Sequence, residues 1–223
     1  MHTKKNKKIL IYLFLFCIIG TLNNKNLSNF HFPKINQINI SGLDNQENSE
    51  ILKSLEVLKS DNLFFLDPKK IEKMINNISY IDEFYISKKY PTTLNVKIQK
   101  AKYMAYTIKD NKTFILGSNK KLIVASDMKK KLPYIYGDLE IEKFFDLKKD
   151  IERSNFEFDE VKNLFFFTSG RWDIETFSGV IIKLPRSMVD ETLNFYVELI
   201  KKNDFKKIKT IDLRQNNQVI INE

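Results

Sequence analysis

Four lysines, Lys4, Lys5, Lys7 and Lys8, stand directly before an uncharged stretch, Ile9–Leu22, that reads ILIYLFLFCIIGTL. No other segment constrains the chain as much. A run this apolar must be covered by lipid or by a protein core, and lysine-rich flanks stay on the cytoplasmic side of a membrane. The block therefore predicts a cytoplasmic tail at 1–8 and a transmembrane anchor at 9–22, with everything after it on the far side. The length leaves alternatives open. These fourteen residues span about 21 Å as a helix, against a hydrocarbon core of about 30 Å. That fits a short anchor with a snorkelling Lys8, the apolar part of a cleaved signal peptide, or a buried core helix. Against cleavage, no alanine occurs before Ala101, so there is no small-residue A-x-A site, and Phe16 is a poor neighbour for a lipoprotein cysteine at Cys17.

The block also accounts for much of the formal charge of +9. Beyond it, 33 basic side chains face 28 acidic ones, and the basic set holds only four arginines, Arg153, Arg171, Arg186 and Arg214. Nucleic-acid readers lean on Arg for bidentate contacts, so no nucleic-acid partner is expected. One Cys excludes an intrachain disulfide, and two His leave too few soft ligands for a zinc site.

After a polar linker at 23–32, the chain reads as a small α/β module over 33–101. Ile35–Ser41 alternates and stops at Gly42, a strand and a turn. Asn48–Leu58 carries Ile51, Leu52, Leu55 and Leu58 at helical spacing. Asp67 and Pro68 supply an N-cap and a first helical residue for a helix that runs to Ile78, with Ile71, Met74 and Ile75 on one face. Ile81–Lys88 and Thr93–Lys100 are strands joined at Tyr90-Pro91, and Leu94, Val96 and Ile98 alternate. The order is β-α-α-β-β.

This segment resembles the POTRA domain of the FtsQ/DivIB family of bacterial cell-division proteins. The resemblance rests on Ile38-Asn39-Ile40-Ser41-Gly42, on Leu63-Phe64-Phe65-Leu66-Asp67, and on Tyr90-Pro91-Thr92-Thr93-Leu94-Asn95-Val96. The family usually continues with an acidic residue and a proline. Here Gln99-Lys100 and Lys102 stand there.

Residues 102–223 read as a β-rich domain, mostly antiparallel, with flanking helices. Phe114–Leu116 and Leu122–Ala125 flank the turn Gly117-Ser118-Asn119-Lys120. Glu140–Arg153 has Ile141, Phe144, Phe145, Leu147 and Ile151 at helical spacing. Val161–Thr168, Arg171–Thr176 and Val180–Leu184 are strands. Ser187, with Asp190 three residues on, is placed to cap a helix whose stripe is Val189, Leu193, Val197 and Ile200. Ile208–Arg214 and Val219–Asn222 are the last two strands, separated by the turn Gln215–Gln218. Leu132-Pro133…Gly137, Gly170-Arg171-Trp172-Asp173, Gly179-Val180…Leu184-Pro185 and Ile211-Asp212-Leu213-Arg214 are similar to landmarks of the FtsQ β domain, in the family's order. The whole is an α+β chain with one N-terminal transmembrane helix.

Catalytic groups are scarce. His2 and His31 lie in the tail and linker, which excludes Ser-His-Asp and Cys-His arrangements in a folded core. Cys17 sits in the apolar run as a small hydrophobe. Adjacent acids such as Asp82/Glu83 and Asp159/Glu160 face opposite ways on a strand, and six scattered glycines make no phosphate cradle. No enzyme activity, cofactor or metal is expected. Two features suit binding. If Val219, Ile220 and Ile221 form a sheet edge, their backbone is open to a partner strand. Trp172 beside Arg171 is a core aromatic on a central strand or an interface anchor.

The family resemblance implies the same edge: FtsB and FtsL (DivIC-type) dock near the final strands and the preceding helix. Arg214 matches the Arg of the family's Asp-Leu-Arg motif, and Gln215 stands where relatives often carry an aromatic residue. The implied function is a single-pass inner-membrane scaffold of the divisome, with the bulk periplasmic and the protein at the division septum. Other division proteins would be recruited through the POTRA domain. The alternative is an exported POTRA-containing protein of envelope transport or assembly, but the residues beyond 101 supply too few amphipathic strands for a membrane barrel.

Overall fold

The computed structural model describes residues 3–22, 31–125, 131–202, 208–215 and 218–222. Two compact units interleave along the chain. The first takes Met1–Ser41, Asn45–Glu72 and Ile86–Val96; the second takes Gly42–Asp44, Lys73–Tyr85 and Lys97–Glu223.

The elements before residue 101 are α1 (Thr3–Leu22), β1 (Gln37–Ser41), α2 (Asn45–Leu55), a 3-10 turn (Glu56–Ser60), α3 (Pro68–Asn76), β2 (Ile81–Lys89) and β3 (Thr93–Lys100). The strands form one sheet in the order β1-β3-β2. This is the expected β-α-α-β-β series. α2 begins three residues before its expected start, and the turn that follows it keeps Leu58 buried. The expected capping at Asp67 is present: its carboxylate accepts from the Lys69 amide at 3.0 Å. The alternating triplet Leu94, Val96 and Ile98 is buried to within 2 %.

α1 runs across the expected boundary between residues 8 and 9. Lys4, Lys5, Lys7 and Lys8 lie inside the helix, which opens at Thr3. The charges therefore occupy its first turns rather than a separate tail. Ile9 to Phe16 are all exposed on it. Among the described residues no helix is long and apolar enough to cross a membrane. Most of the expected linker, residues 23–30, lies outside the described residues, as does His2.

The second unit is built on a nine-stranded sheet, in the order β12-β11-β10-β9-β8-β7-β4-β5-β6. Its strands are β4 (Tyr103–Lys109), β5 (Lys112–Gly117), β6 (Leu122–Val124), β7 (Tyr134–Tyr136), β8 (Val161–Phe166), β9 (Trp172–Thr176), β10 (Ile181–Lys183), β11 (Thr210–Asp212) and β12 (Ile220–Asn222). The pairs β4/β7, β7/β8 and β10/β11 are parallel, so the sheet is mixed rather than simply antiparallel. Two helices, α4 (Ile141–Arg153) and α5 (Val189–Lys202), supply the crossovers for β7/β8 and β10/β11, while β5 and β6 lie in the connection from β4 to β7.

Register explains the core. Ile135, Leu164, Ile174, Ile182 and Ile211 lie side by side across β7 to β11. All five are 0–1 % exposed. Phe144, Leu147 and Ile151 of α4 and Val189, Leu193 and Tyr196 of α5 belong to the same core. Each fully buried Ile or Leu contributes about 1.5–3 kcal/mol relative to an exposed one. The stripe expected on α5 shifts slightly: Tyr196 is buried, while Ile200 is 38 % exposed. Ser187 lies two residues before Val189, so it is not the residue at the helix boundary; Met188, with φ 60°, occupies that position.

Candidate partner-binding site

β12 ends the order of the sheet and, among the described residues, pairs with β11 alone: Thr210 opposite Asn222, Ile211 opposite Ile221, Asp212 opposite Ile220. The buried apolar row of β7 to β11 therefore continues into Ile221, but there its cover stops. Ile211 is 0 % exposed and Ile221 40 %. Ile220, on the opposite face, is 49 % exposed. An edge strand with apolar side chains on both faces and one unpaired backbone side is a template for an added strand.

Two cavities flank this edge. One, of about 420 Å³, is lined by Met188, Phe195, Leu213, Gln215, Gln218 and Val219, together with Glu191 and Thr192. It brings α5 beside the β11–β12 connection. Met188 and Phe195 are 55 % and 48 % exposed. The other, of about 250 Å³, is lined by Asp212, Arg214, Gln215, Gln218 and Ile220. Gln215 and Gln218 border both, so the turn separates an apolar groove from a charged one. Asn216 and Asn217 of that turn lie outside the described residues.

The charged groove is organised by sheet register. Asp173, Lys183 and Asp212 are neighbours on the face opposite the core. Arg214 folds back on Asp212, its Nε donating to Oδ1 at 2.8 Å and to Oδ2 at 3.0 Å. That hydrogen bond, ahead of the desolvation that opposes it, holds the Asp212 carboxyl below its ordinary range and pushes Arg214 further up. Asp173 goes the other way. Burial raises its pKa against the lowering influence of Arg171, Lys183 and Arg214. Its pair with Arg171 spans 3.4 Å and is not a hydrogen bond; Asp173 Oδ1 and Arg171 Nε are both buried without one. The Arg171 guanidinium lies 4.2 Å from the Phe167 ring centroid.

The structure places Arg214, Gln215, Val219, Ile220 and Ile221 at one edge of the sheet. Trp172 is not with them on the surface. It is 5 % exposed and packs at 4.6 Å on Phe166, on the core face of β9. Its alternation partner Asp173 takes the other face. Sequence reasoning missed Met188, Phe195, Lys183 and Asp173. The spacing Met188–Phe195 (i, i+7) was a usable signal, since it places a second, unburied apolar line beside the stripe of α5. Cys17 is exposed on α1, and among the described residues no group of three or more His, Cys, Asp or Glu is placed to hold a metal ion.

The FtsQ-type POTRA domain matches residues 34–100, and the FtsQ/DivIB C-terminal domain matches residues 105–214. The chain belongs to the FtsQ/DivIB family of cell-division proteins. The chain is 24 % identical over 191 residues to the cell division protein FtsQ of Rickettsia bellii, covering 84 % of this chain and 72 % of that one. The DivIB protein of Clostridium botulinum strain Hall is 30 % identical over 117 residues, 52 % of this chain and 44 % of that one. The extracytoplasmic domain of DivIB from Geobacillus stearothermophilus gives a TM-score of 0.35 at 11 % identity, over 48 % of this chain and 98 % of that one. The C-terminal family match ends at Arg214, so β12 lies just past the part of the chain that it covers.

Proposed function

We propose that this FtsQ/DivIB-family chain is a non-enzymatic scaffold of the divisome, held in the inner membrane by α1 with its N-terminus cytoplasmic. On this reading Lys4, Lys5, Lys7 and Lys8 set the orientation, the POTRA domain (33–101) recruits other division proteins, and the β domain (102–223) binds FtsB and FtsL. The observation that carries the reading is the edge strand β12. Its two isoleucines are half exposed, among the described residues no strand lies beside its outer backbone, and a groove lined in part by Met188, Phe195, Leu213 and Val219 adjoins it.

The mechanism is recognition with tethering. A strand from FtsB adds to β12 through main-chain hydrogen bonds, and its alternate side chains meet Ile221 on one face and Ile220 with Arg214 on the other. A helical segment of the partner lies against Met188 and Phe195. Confinement to the membrane raises the effective concentration of such partners without any new contact.

The test is Ile221→Lys in the full chain. Because Ile221 is already 40 % exposed, the variant keeps its fold and its circular dichroism. Capture of FtsB and FtsL falls about tenfold or more, the scale of losing one anchor at an interface. Undiminished capture rejects the edge-strand site. A fluorescent fusion collects at midcell in dividing cells, and an even peripheral signal counts against the divisome role as a whole.

A further inference from the structure

The first unit carries an aromatic cluster that its core does not use. Phe32 packs on Phe64 and on Phe65 with ring centroids 5.1 Å apart in both cases, and Phe64 packs on Tyr90 at 4.6 Å. All four remain open to solvent, at 42, 44, 75 and 54 % respectively. The run Leu63-Phe64-Phe65-Leu66 shows how this arises. Leu63 and Leu66 are buried at 0 and 5 %, while the two rings between them point out. Contiguous exposed apolar surface of this kind marks an interaction site.

Basic residues border the cluster. The backbone of Lys34 bridges to Asn62, two residues before Phe64. Lys88 donates its ammonium to the Leu66 carbonyl at 2.9 Å, a neutral partner that leaves its charge in place, and the exposed Lys89 adjoins Tyr90. The nearby acids are engaged locally: Asp61 pairs with Lys70 at 2.6 Å, and Asp67 caps α3. Phe32 follows Leu22, the last residue of α1, by ten residues. Ten extended residues span at most about 35 Å.

We propose that the Phe32–Phe64–Phe65–Tyr90 cluster seats in the headgroup layer of an anionic bilayer, close to where α1 leaves it. This rests on reading α1 as a membrane anchor. Aromatic rings favour the level of the headgroups, and long lysine side chains keep their charge at the lipid phosphates while their stems lie along the apolar surface. The short tether holds the cluster near a bilayer surface, which is what favours lipid over a protein as its occupant. Docking there fixes how the POTRA domain stands on the membrane.

The experiment uses the full chain in vesicles of phosphatidylethanolamine and phosphatidylglycerol, with one nitroxide per molecule. A label on the exposed Ser87→Cys, in a Cys17→Ser background, reports the cluster with its four rings and its lysines intact. A label on the native Cys17 reports α1. The Ser87→Cys label is shielded from an aqueous nickel chelate about threefold more than the same label combined with Phe65→Ser, because the most exposed ring no longer enters the interface. Tyr90→Ser gives the same loss, and both substituted positions are exposed enough to leave the fold intact. Equal accessibility with and without Phe65, while the Cys17 label lies at acyl-chain depth, overturns the seat but not the anchor. A Cys17 label in water overturns both. Shielding that appears only when membrane proteins are added assigns the cluster to a protein partner and overturns the lipid proposal.

Discussion

Gly42 and Gly137 show what single residues decide in this molecule. Each has a positive φ, +105° and +104°, and each lets another strand's backbone pass where a side chain would stand. A Cβ at Gly42 would lie 1.9 Å from the Ile98 carbonyl oxygen, and one at Gly137 would lie 2.1 Å from that of Phe166. Both glycines close short apolar stretches, Ile38–Gly42 and Leu132–Gly137, that can be recognised in the sequence. The spacing marks a turn; the carbonyl pressed against it belongs to a distant segment. Gly137→Ala is expected to cost about 2–4 kcal/mol, from strain plus the clash, and chemical denaturation of the full chain measures it. A loss below the noise of such a measurement would mean that the Phe166 backbone moves aside.

Asp212 and Asp173, which flank Lys183 across the sheet, carry opposite signs with pH. Asp212 is held low by Arg214, so its stabilising contribution is complete above the unfolded value of about 3.9 and is lost as pH falls through its lower folded value. Asp173 is raised by burial. The folded state holds that proton more tightly than the unfolded chain, so Asp173 favours folding at low pH and gives up that contribution as pH rises through its folded value. Carboxyl-detected NMR titration should find Asp173 above about 3.9 and Asp212 below it, with the acid-side dependence of stability reduced in Asp212→Asn. The reverse order would contradict the burial and pairing described here.

At the scale of elements, most of the periodic segments were legible. The α3 cap, the β3 alternation and the apolar faces of α4 and α5 all follow from spacing, because each element has one buried and one wet side. β4 was missed for the complementary reason. Ala105, Tyr106 and Thr107 are buried in succession, with Ala105 in the main core and Tyr106 in a smaller cluster with Ile115 and Ile123. A strand covered on both faces has no alternation to read. The overlooked signal was its turn. Asp110 and Asn111 both have positive φ, 50° and 57°, the conformation of a two-residue hairpin between β4 and β5. Asn111→Gly is therefore expected to stabilise by roughly 0.5 kcal/mol, since glycine reaches this conformation without steric cost. A rise in thermal midpoint checks it, and a fall would show that the Asn111 side chain contributes more than its backbone strain removes.

The large sheet was expected to be mostly antiparallel, and it contains three parallel joints. Strand propensity does not record direction. Direction follows from which connections cross the sheet: α4 and α5 fill two of them, and β5 with β6 lies in the third. The strand at 219–222 was legible for a simpler reason, the spacing of Val219 and Ile221, while its place at the end of the sheet order is set by the fold. Met188 and Phe195 joined that edge only because α5 packs beside it.

For the whole molecule, membrane attachment is the property on which sequence and structure press hardest against each other. The apolar run is fourteen residues long, and four lysines share its helix. If α1 is an anchor, alkaline carbonate leaves the full chain in the membrane pellet. Release into the supernatant would reject that reading, and a mature N-terminus between residues 20 and 25 in mass spectrometry would show cleavage instead.

The sequence by itself determined most of the periodic elements, the turn glycines, the lysine-headed apolar helix and the scarcity of His and Cys, because each of these is local. Tertiary structure alone decided the direction of the strands, the burial of Trp172, the opposite pKa shifts of Asp173 and Asp212, and the exposure of four aromatic rings. Those outcomes depend on which distant segment covers a residue, and cover, unlike spacing, is set only when the chain has folded.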